Sequence, residues 1–333
     1  MNRFLTPLEP LYAAAVGAKN AVYARGWAHA KQLGWPVVSV GNLSVGGSGK
    51  TPLTIRLAEL LRERGFAADV LSRGYGRRSH AVARVNPNGS VEEFGDEPLL
   101  TARRGIPVFV GADRYAAGVL AEGQGAGAGL HVLDDGFQHR ALARSVDIVA
   151  LHRSDFTEQL LPAGRLREGF GSLPRAQIVV MREEDRDLEG ELRRRGFRST
   201  IWWMERRLHV PAVSRVVAFC AIARPEEFFA AIRREGIEIA AVRAWRDHHR
   251  YTHADLAELK ERRRQHEAEA FLTTEKDLVR LGEEQQRELT SAVPLHAAEL
   301  QVRLSDDAAA IDELLALLSR EGRNPMGRES GTA

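Results

Sequence analysis

A lysine and a threonine closing a glycine-rich turn are the residues of this sequence with the most definite chemistry. Ser44-Val45-Gly46-Gly47-Ser48-Gly49-Lys50-Thr51 follows the apolar run Val37-Val38-Ser39-Val40 and precedes a helical pattern. A strand feeding such a loop is the layout of a phosphate cradle. Glycines let backbone N–H groups converge on phosphate oxygens, the lysine reaches the outer phosphates, and the threonine hydroxyl joins a magnesium ion. A helix starting near Lys50 adds the positive end of its dipole. Ser44 stands where the usual pattern has its first glycine. The chemistry predicted is nucleotide-dependent phosphoryl transfer.

A second constellation is Leu130-His131-Val132-Leu133-Asp134-Asp135-Gly136. Ligands of an open α/β sheet gather at the carboxyl ends of its strands, so Asp134 should meet the loop and serve the metal. Two adjacent carboxylates repel unless a cation or donor stands nearby. Gly95-Asp96-Glu97-Pro98 opens a helix, which makes Asp96 either a cap or a general base. Leu161-Pro162-Ala163-Gly164-Arg165-Leu166-Arg167-Glu168 is a polar loop suited to anionic groups and magnesium. Ser72-Arg73-Gly74-Tyr75-Gly76-Arg77 follows a strand and belongs at the same edge. Asp247-His248-His249 is either a solvated loop or the orienting partner of a base; no cysteine or histidine spacing supports zinc.

These groups need a frame. Apolar runs at Pro36–Val40, Ala68–Ser72, Pro107–Gly111, Leu130–Asp134, Asp147–Leu151 and Gln177–Met181 alternate with helical stretches such as Pro52–Arg64 and Arg114–Glu122. That alternation predicts a P-loop α/β fold with a mostly parallel sheet and helices on both faces. Asn88-Gly89 suggests a hairpin within residues 80–94. A second α/β unit begins near residue 208, with strands at Val216–Ile222 and Ala270–Thr273 and helices at Pro225–Glu235, Ala254–Glu269 and Asp306–Glu321. The expected division is 1–34 amphipathic helix, 35–207 P-loop domain, 208–322 smaller α/β domain and 323–333 disordered tail.

With 333 residues the chain has room for about two domains. A net charge of +2 gives no global signal for nucleic acid. Cys220 is the single cysteine, so no disulfide forms within the chain. No apolar run reaches the ~20 residues that span a bilayer. Residues 1–33 instead place Leu5, Leu8, Tyr12, Val16, Tyr23 and Trp27 at near-helical spacing, with Arg3, Lys19, Arg25 and Lys31 against Glu9. Such a segment either lies on an anionic membrane surface or packs on its own domain. Arg193–Arg195, Arg206-Arg207 and Arg262–Arg264 are solvated faces or attract acidic groups.

Together the motifs resemble the tetraacyldisaccharide 4′-kinases of lipid A biosynthesis. The resemblance runs through Val-Gly-Asn-Leu-Ser-Val-Gly-Gly-Ser-Gly-Lys-Thr-Pro, Ser-Arg-Gly-Tyr-Gly-Arg, Gly-Asp-Glu-Pro, Leu-Asp-Asp-Gly-Phe-Gln-His-Arg, Leu-Pro-Ala-Gly-Arg-Leu-Arg-Glu, Asp-His-His and Thr-Glu-Lys-Asp. Ser44 is shared with that family; Phe219-Cys220-Ala221-Ile222-Ala223-Arg224-Pro225 and Gly169 depart from it. The resemblance implies transfer of the γ-phosphate of ATP, with Mg²⁺, to the 4′-hydroxyl of an acylated glucosamine disaccharide 1-phosphate. It implies that Ser44, Val45, Gly46, Gly47, Ser48, Gly49, Lys50 and Thr51 hold the phosphates. Asp134 would hold the metal with Thr51, Glu97 and Glu168, with Asp135 close by. Asp96 would take the hydroxyl proton with His248 as its partner. The implied setting is the cytoplasmic face of the inner membrane, reached peripherally or monotopically through the N-terminal helix. An anionic membrane surface is the implied partner, with no nucleic acid and no required protein partner. A guanine-specific switch protein fits less well, because Thr274-Glu275-Lys276-Asp277 lacks the spacing of Asn-Lys-x-Asp.

Overall fold

Residues buried on both faces of a sheet must be apolar along their whole length, and the runs noted above behave that way. A computed structural model describes residues 3–320 except 48 and 126, so Ser48 and the expected tail at 323–333 lie outside the described residues. The strands are β1 (Val37–Asn42), β2 (Ala68–Ser72), β3 (Ala83–Arg84), β4 (Val108–Val110), β5 (Leu130–Asp134), β6 (Val146–Ala150), β7 (Ile178–Arg182), β8 (Thr200–His209), β9 (Arg215–Cys220), β10 (Glu238–Ala244), β11 (Ala270–Thr274) and β12 (Leu295–Leu304). They form one sheet of twelve described strands in the order β10-β9-β11-β12-β8-β7-β6-β1-β5-β2-β4-β3. Pairing is parallel except at β8–β12 and β3–β4.

The antiparallel β8–β12 pair joins two parallel groups. The carboxyl ends of both groups, at Asp134 in one and Thr274 in the other, border one cleft of about 1750 Å³. Residues 207 and 208, where the sequence suggests a division, lie inside β8, and the sheet continues across them. The Asp307–Arg320 helix returns to the first group: Ile311, Leu314 and Leu318 share a core with Leu53, Leu57 and Leu61 of the Lys50–Glu63 helix. Arg56 seals that contact on Asp307 at 2.8 Å.

The expected hairpin at Asn88-Gly89 is not formed. A turn is there, with Gly89 N–H donating to Asn86 O at 2.9 Å. Ser90 then accepts from Glu93 N and starts a short helix, Val91–Phe94, instead of a returning strand. A serine cap with acids in the first turn favours helix over ladder. The partner of β3 is β4.

The Glu9–Ala24 helix has no fully buried residue. One side docks on the protein, through Tyr12 OH to Arg167 O at 3.1 Å and Asn20 Nδ2 to Glu168 Oε2 at 2.9 Å. Leu11 and Trp27 are each 71% exposed. No described helix is long and apolar enough to cross a membrane.

Candidate active site

Strand β1 runs out at Asn42, whose side-chain amide holds Ser44 O at 2.7 Å and so fixes the entry to the loop. The turn then needs left-handed backbone, with φ of 77° at Gly46, 58° at Gly47 and 84° at Gly49. A side chain would strain each of these. Gly49 is also the N-cap of Lys50–Glu63, with no side chain to cap it, so the first N–H groups of that helix stay open to a ligand. Ser44 is buried and its hydroxyl lacks a partner among the described atoms. Val45 N–H donates to Arg165 O at 2.8 Å, which ties the loop to the Leu161–Glu168 segment. Gly46, Gly47, Gly49, Lys50 and Thr51 all line the cleft, as does Val45.

Opposite the loop, β5 delivers two acids with different surroundings. Asp134 is 4% exposed and accepts from Thr54 Oγ1 at 3.2 Å. Burial, Glu97 and Asp135 together push its carboxyl up to about 7. Asp135, at φ 52°, is turned the other way. Burial works against its ionisation, but Lys50 at 3.3 Å and a two-pronged contact from Arg167 at 3.0 and 2.7 Å hold it well below the usual carboxylate range. Glu97 is paired with Lys276 at 2.8 Å.

The cations at this end of the cleft are paired with Asp135 and Glu97 and none is hydrogen-bonded to Asp134, so burial and its two acidic neighbours favour its protonated form. A hydroxyl and carboxylates form a donor set suited to a hard divalent cation. No three acidic, histidine or cysteine groups among the described residues are pre-assembled as a metal cage. Magnesium keeps waters and substrate phosphates in its shell. Thr51, Asp134 and Glu97 line the cleft together; Glu168 does not. Glu168, the fourth residue of the expected set, is 3% exposed and its carboxylate is engaged by Arg175 at 2.6 Å and by Asn20.

The third component joins residues 152 positions apart: His248 Nδ1 lies 3.0 Å from Asp96 Oδ2. Asp96 opens the Asp96–Arg103 helix and its Oδ1 accepts from Glu97 N–H at 2.9 Å. Gly95 is the N-cap of that helix and no side chain caps it, so Asp96 stands in its first turn as a paired acid. Burial resists its charge, yet Lys276, His248 and Arg280 overcome it and hold the acid far below the ordinary range. Arg280 Nε donates to Asp96 Oδ2 at 2.7 Å. His248 has φ 61°, is tethered through its N–H to Ala221 O at 3.3 Å, and packs against Tyr75 with ring centres 5.1 Å apart. His248 lines the cleft, whereas Asp96 sits behind it.

Sequence reasoning missed Arg280 and gave Lys276 no role in the site. Both lie on the short helix Glu275–Arg280, four residues apart and so on one face. That spacing was the available signal. Arg224 was given no role either, although it lies in the Phe219–Pro225 stretch that departs from the family pattern.

The family model described as Tetraacyldisaccharide-1-P 4′-kinase matches residues 1–319. A protein named tetraacyldisaccharide 4′-kinase from Koribacter versatilis (strain Ellin345) is 44% identical over 328 residues, covering 95% of this chain and 99% of that one. One of the same name from Halorhodospira halophila is 37% identical over 338 residues, covering 96% and 95%. A crystal structure of the "apo" form of LpxK from Aquifex aeolicus in complex with ATP superposes with a TM-score of 0.74 at 31% identity, covering 96% of this chain and 99% of that one.

Proposed function

The chain belongs to the tetraacyldisaccharide 4′-kinase family, and from that premise we propose how its cleft moves phosphate. The reaction is transfer of the γ-phosphate of ATP to the 4′-hydroxyl of a tetraacylated glucosamine disaccharide 1-phosphate. The observation that carries the reading is the convergence of the glycine loop, the Asp134 acid cluster and the Asp96–His248 pair on one cleft.

The loop amides and Lys50 would bind the nucleotide phosphates, and Thr51, Asp134 and Glu97 would hold magnesium, which would supply neutralisation of charge on the phosphate oxygens. Lys50 leaves Asp135 for the outer phosphates, while Arg167 keeps Asp135 ionised and in place. A sugar hydroxyl is a poor nucleophile, so an oriented proton acceptor is worth ~10²–10⁴-fold. Asp96, already carrying Arg280, is a weak acceptor. His248 therefore faces the acceptor hydroxyl, takes its proton at Nε2, and is aligned and stabilised as imidazolium by Asp96 through Nδ1. The halves 35–207 and 208–322 each supply part of this site.

The acylated acceptor requires docking at a lipid surface. Exposed Leu8, Leu11 and Trp27, beside Arg25, support an N-terminal contact with anionic membrane at the cytoplasmic face of the inner membrane. Replacing Leu11 and Trp27 by glutamate should abolish sedimentation with anionic vesicles while leaving the melting temperature unchanged. Equal sedimentation would remove the anchor.

The activity is tested by phosphate transfer from γ-labelled ATP to the disaccharide lipid in detergent micelles, with GTP and Lys50→Ala alongside. The expected result is a 4′-phosphorylated lipid that requires ATP, Mg²⁺ and Lys50. Nucleotide hydrolysis without lipid product would overturn the acceptor assignment.

A further inference from the structure

The glycine loop is overhung by a cation from the other half of the chain. Arg224 immediately precedes the Pro225–Arg234 helix and lines the cleft. A Cβ on Gly47 would stand 2.9 Å from Arg224 Nε, so the guanidinium lies directly against the loop backbone. The outer nitrogens are held from behind. Nη1 donates to His152 Nδ1 at 2.6 Å and Nη2 to Ser154 Oγ at 2.9 Å, with Glu227 3.4 Å from Nη1. His152 is fixed in turn, because its Nδ1 also accepts from Ser154 N–H and its Nε2 donates to Glu227 at 3.0 Å. One donor of the fork is unused: Nε is buried and has no partner among the described residues. Glu227 is shared with Arg182 and Arg206, at 2.6 and 3.3 Å, and Glu184 meets Arg182 at 3.2 Å, so three guanidiniums face two carboxylates. An anion on the loop would relieve both the unpaired donor and the excess charge.

We infer that Arg224 is an intramolecular arginine finger, donating from the second half of the chain to the phosphoryl group in transfer on the loop. The inference rests on the phosphoryl transfer proposed above. In that step the acceptor oxygen bonds to the γ-phosphorus and the bond from phosphorus to the β–γ bridging oxygen breaks. The electron pair leaves on ADP, and the hydroxyl proton passes to the His248–Asp96 pair. Charge develops on the bridging oxygen and the transferring oxygens, and a guanidinium pre-fixed beside them needs little reorganisation.

The test uses the full chain with Arg224→Ala and Arg224→Lys. Affinities for Mg²⁺–ADP with and without aluminium fluoride are measured by calorimetry, beside kcat and KM for ATP and the melting temperature. Arg224→Ala should lower kcat by about 10²–10³-fold with little change in KM. It should weaken the fluoroaluminate complex about 10²-fold more than the ADP complex. Arg224→Lys keeps the stem and the charge, folds as wild type, and recovers only part of either loss. Equal weakening of both complexes, or a lowered melting temperature with the ratio unchanged, would reduce Arg224 to a strut and overturn the inference. The binding arm needs no lipid. A wild type that forms an Arg224-sensitive fluoroaluminate complex but phosphorylates no lipid would sink the acceptor assignment and leave the finger standing.

Discussion

Asp134 lines the cleft and Asp96 sits behind it, 4% and 3% exposed, and their electrostatics are opposite. Around Asp134, burial is reinforced by Glu97 and Asp135, and the acid is pushed up to about 7. Around Asp96, burial is overcome by Lys276, His248 and Arg280, and the acid is held far below its ordinary range. Depth therefore does not decide the state of a carboxylate here; its neighbours do. The fold has given Asp96 its cations and left Asp134 to find one from outside. The first arrangement suits a fixed anion that orients an imidazole. The second suits a site completed by a metal–nucleotide complex.

The severest way to break this contrast is to remove the groups that meet the nucleotide. Lys50→Ala and Asp134→Ala should each lower turnover on the order of 10³-fold while circular dichroism and melting stay near wild type. Wild-type turnover in either variant would end the phosphoryl-transfer assignment. The Asp96 side is tested by Asp96→Asn, which keeps the shape and removes the charge. Steady-state kinetics should give a kcat lower by about 10²–10⁴-fold and an almost unchanged KM for ATP. A kcat equal to wild type would leave Asp96 as no more than the start of a helix. Asp96→Ala is a poorer probe, because stranding buried Arg280 costs about 3–5 kcal/mol of stability.

The two acids also differ in how far the sequence revealed them. Asp134 stands at the end of an apolar strand, ninety residues or so after a glycine loop whose pattern is local, and strand-end geometry brings the two together without further information. Asp96 could be read only as cap or base, because its partners arrive from positions 248, 276 and 280 through the second parallel group. Periodicity along one strand carries no record of such cross-sheet contacts. The strands β8, β10 and β12 escaped notice for a related reason. Residues such as Glu205, Arg206 and Arg207, or Glu299 and Gln301, interrupt the apolar pattern where their strands line the cleft. Glu168 shows the same limit: its motif suggests a metal ligand, but nothing in that motif marks the contact with Arg175.

A titration sharpens the contrast in sign. Asp134 binds its proton more tightly folded than unfolded, so its ionisation costs stability as pH rises from about 4 to about 7. Asp96 has the reverse sign: its contribution is present above the unfolded pKa and is lost as pH falls below it. In metal-free protein, Asp134→Asn should thus gain stability relative to wild type across pH 4–7, by an amount on the order of a few kcal/mol. Urea denaturation at fixed pH values in a chelator measures it. A difference that does not change with pH would mean that Asp134 is ionised throughout and its site already neutralised.

The smallest expected effect isolates the one neutral donor on Asp134. Thr54 is fully buried and its hydroxyl donates to Asp134 Oδ1 at 3.2 Å. Thr54→Val preserves the volume of the side chain and its packing beside Leu53 and Leu57, so the lost hydrogen bond is the main change. A buried acceptor deprived of its donor costs about 1–3 kcal/mol, and a protonated Asp134 should place the loss at the lower end. The loss should grow as pH rises toward 7, because a hydroxyl donor matters more to the carboxylate than to the carboxylic acid. It should shrink again with saturating Mg²⁺–ADP, where a cation takes over the charge. Denaturant midpoints of wild type and Thr54→Val at pH 5 and pH 7 test the point. If the two differ by the same amount at both, Thr54 is responding to packing and not to the charge that separates Asp134 from Asp96.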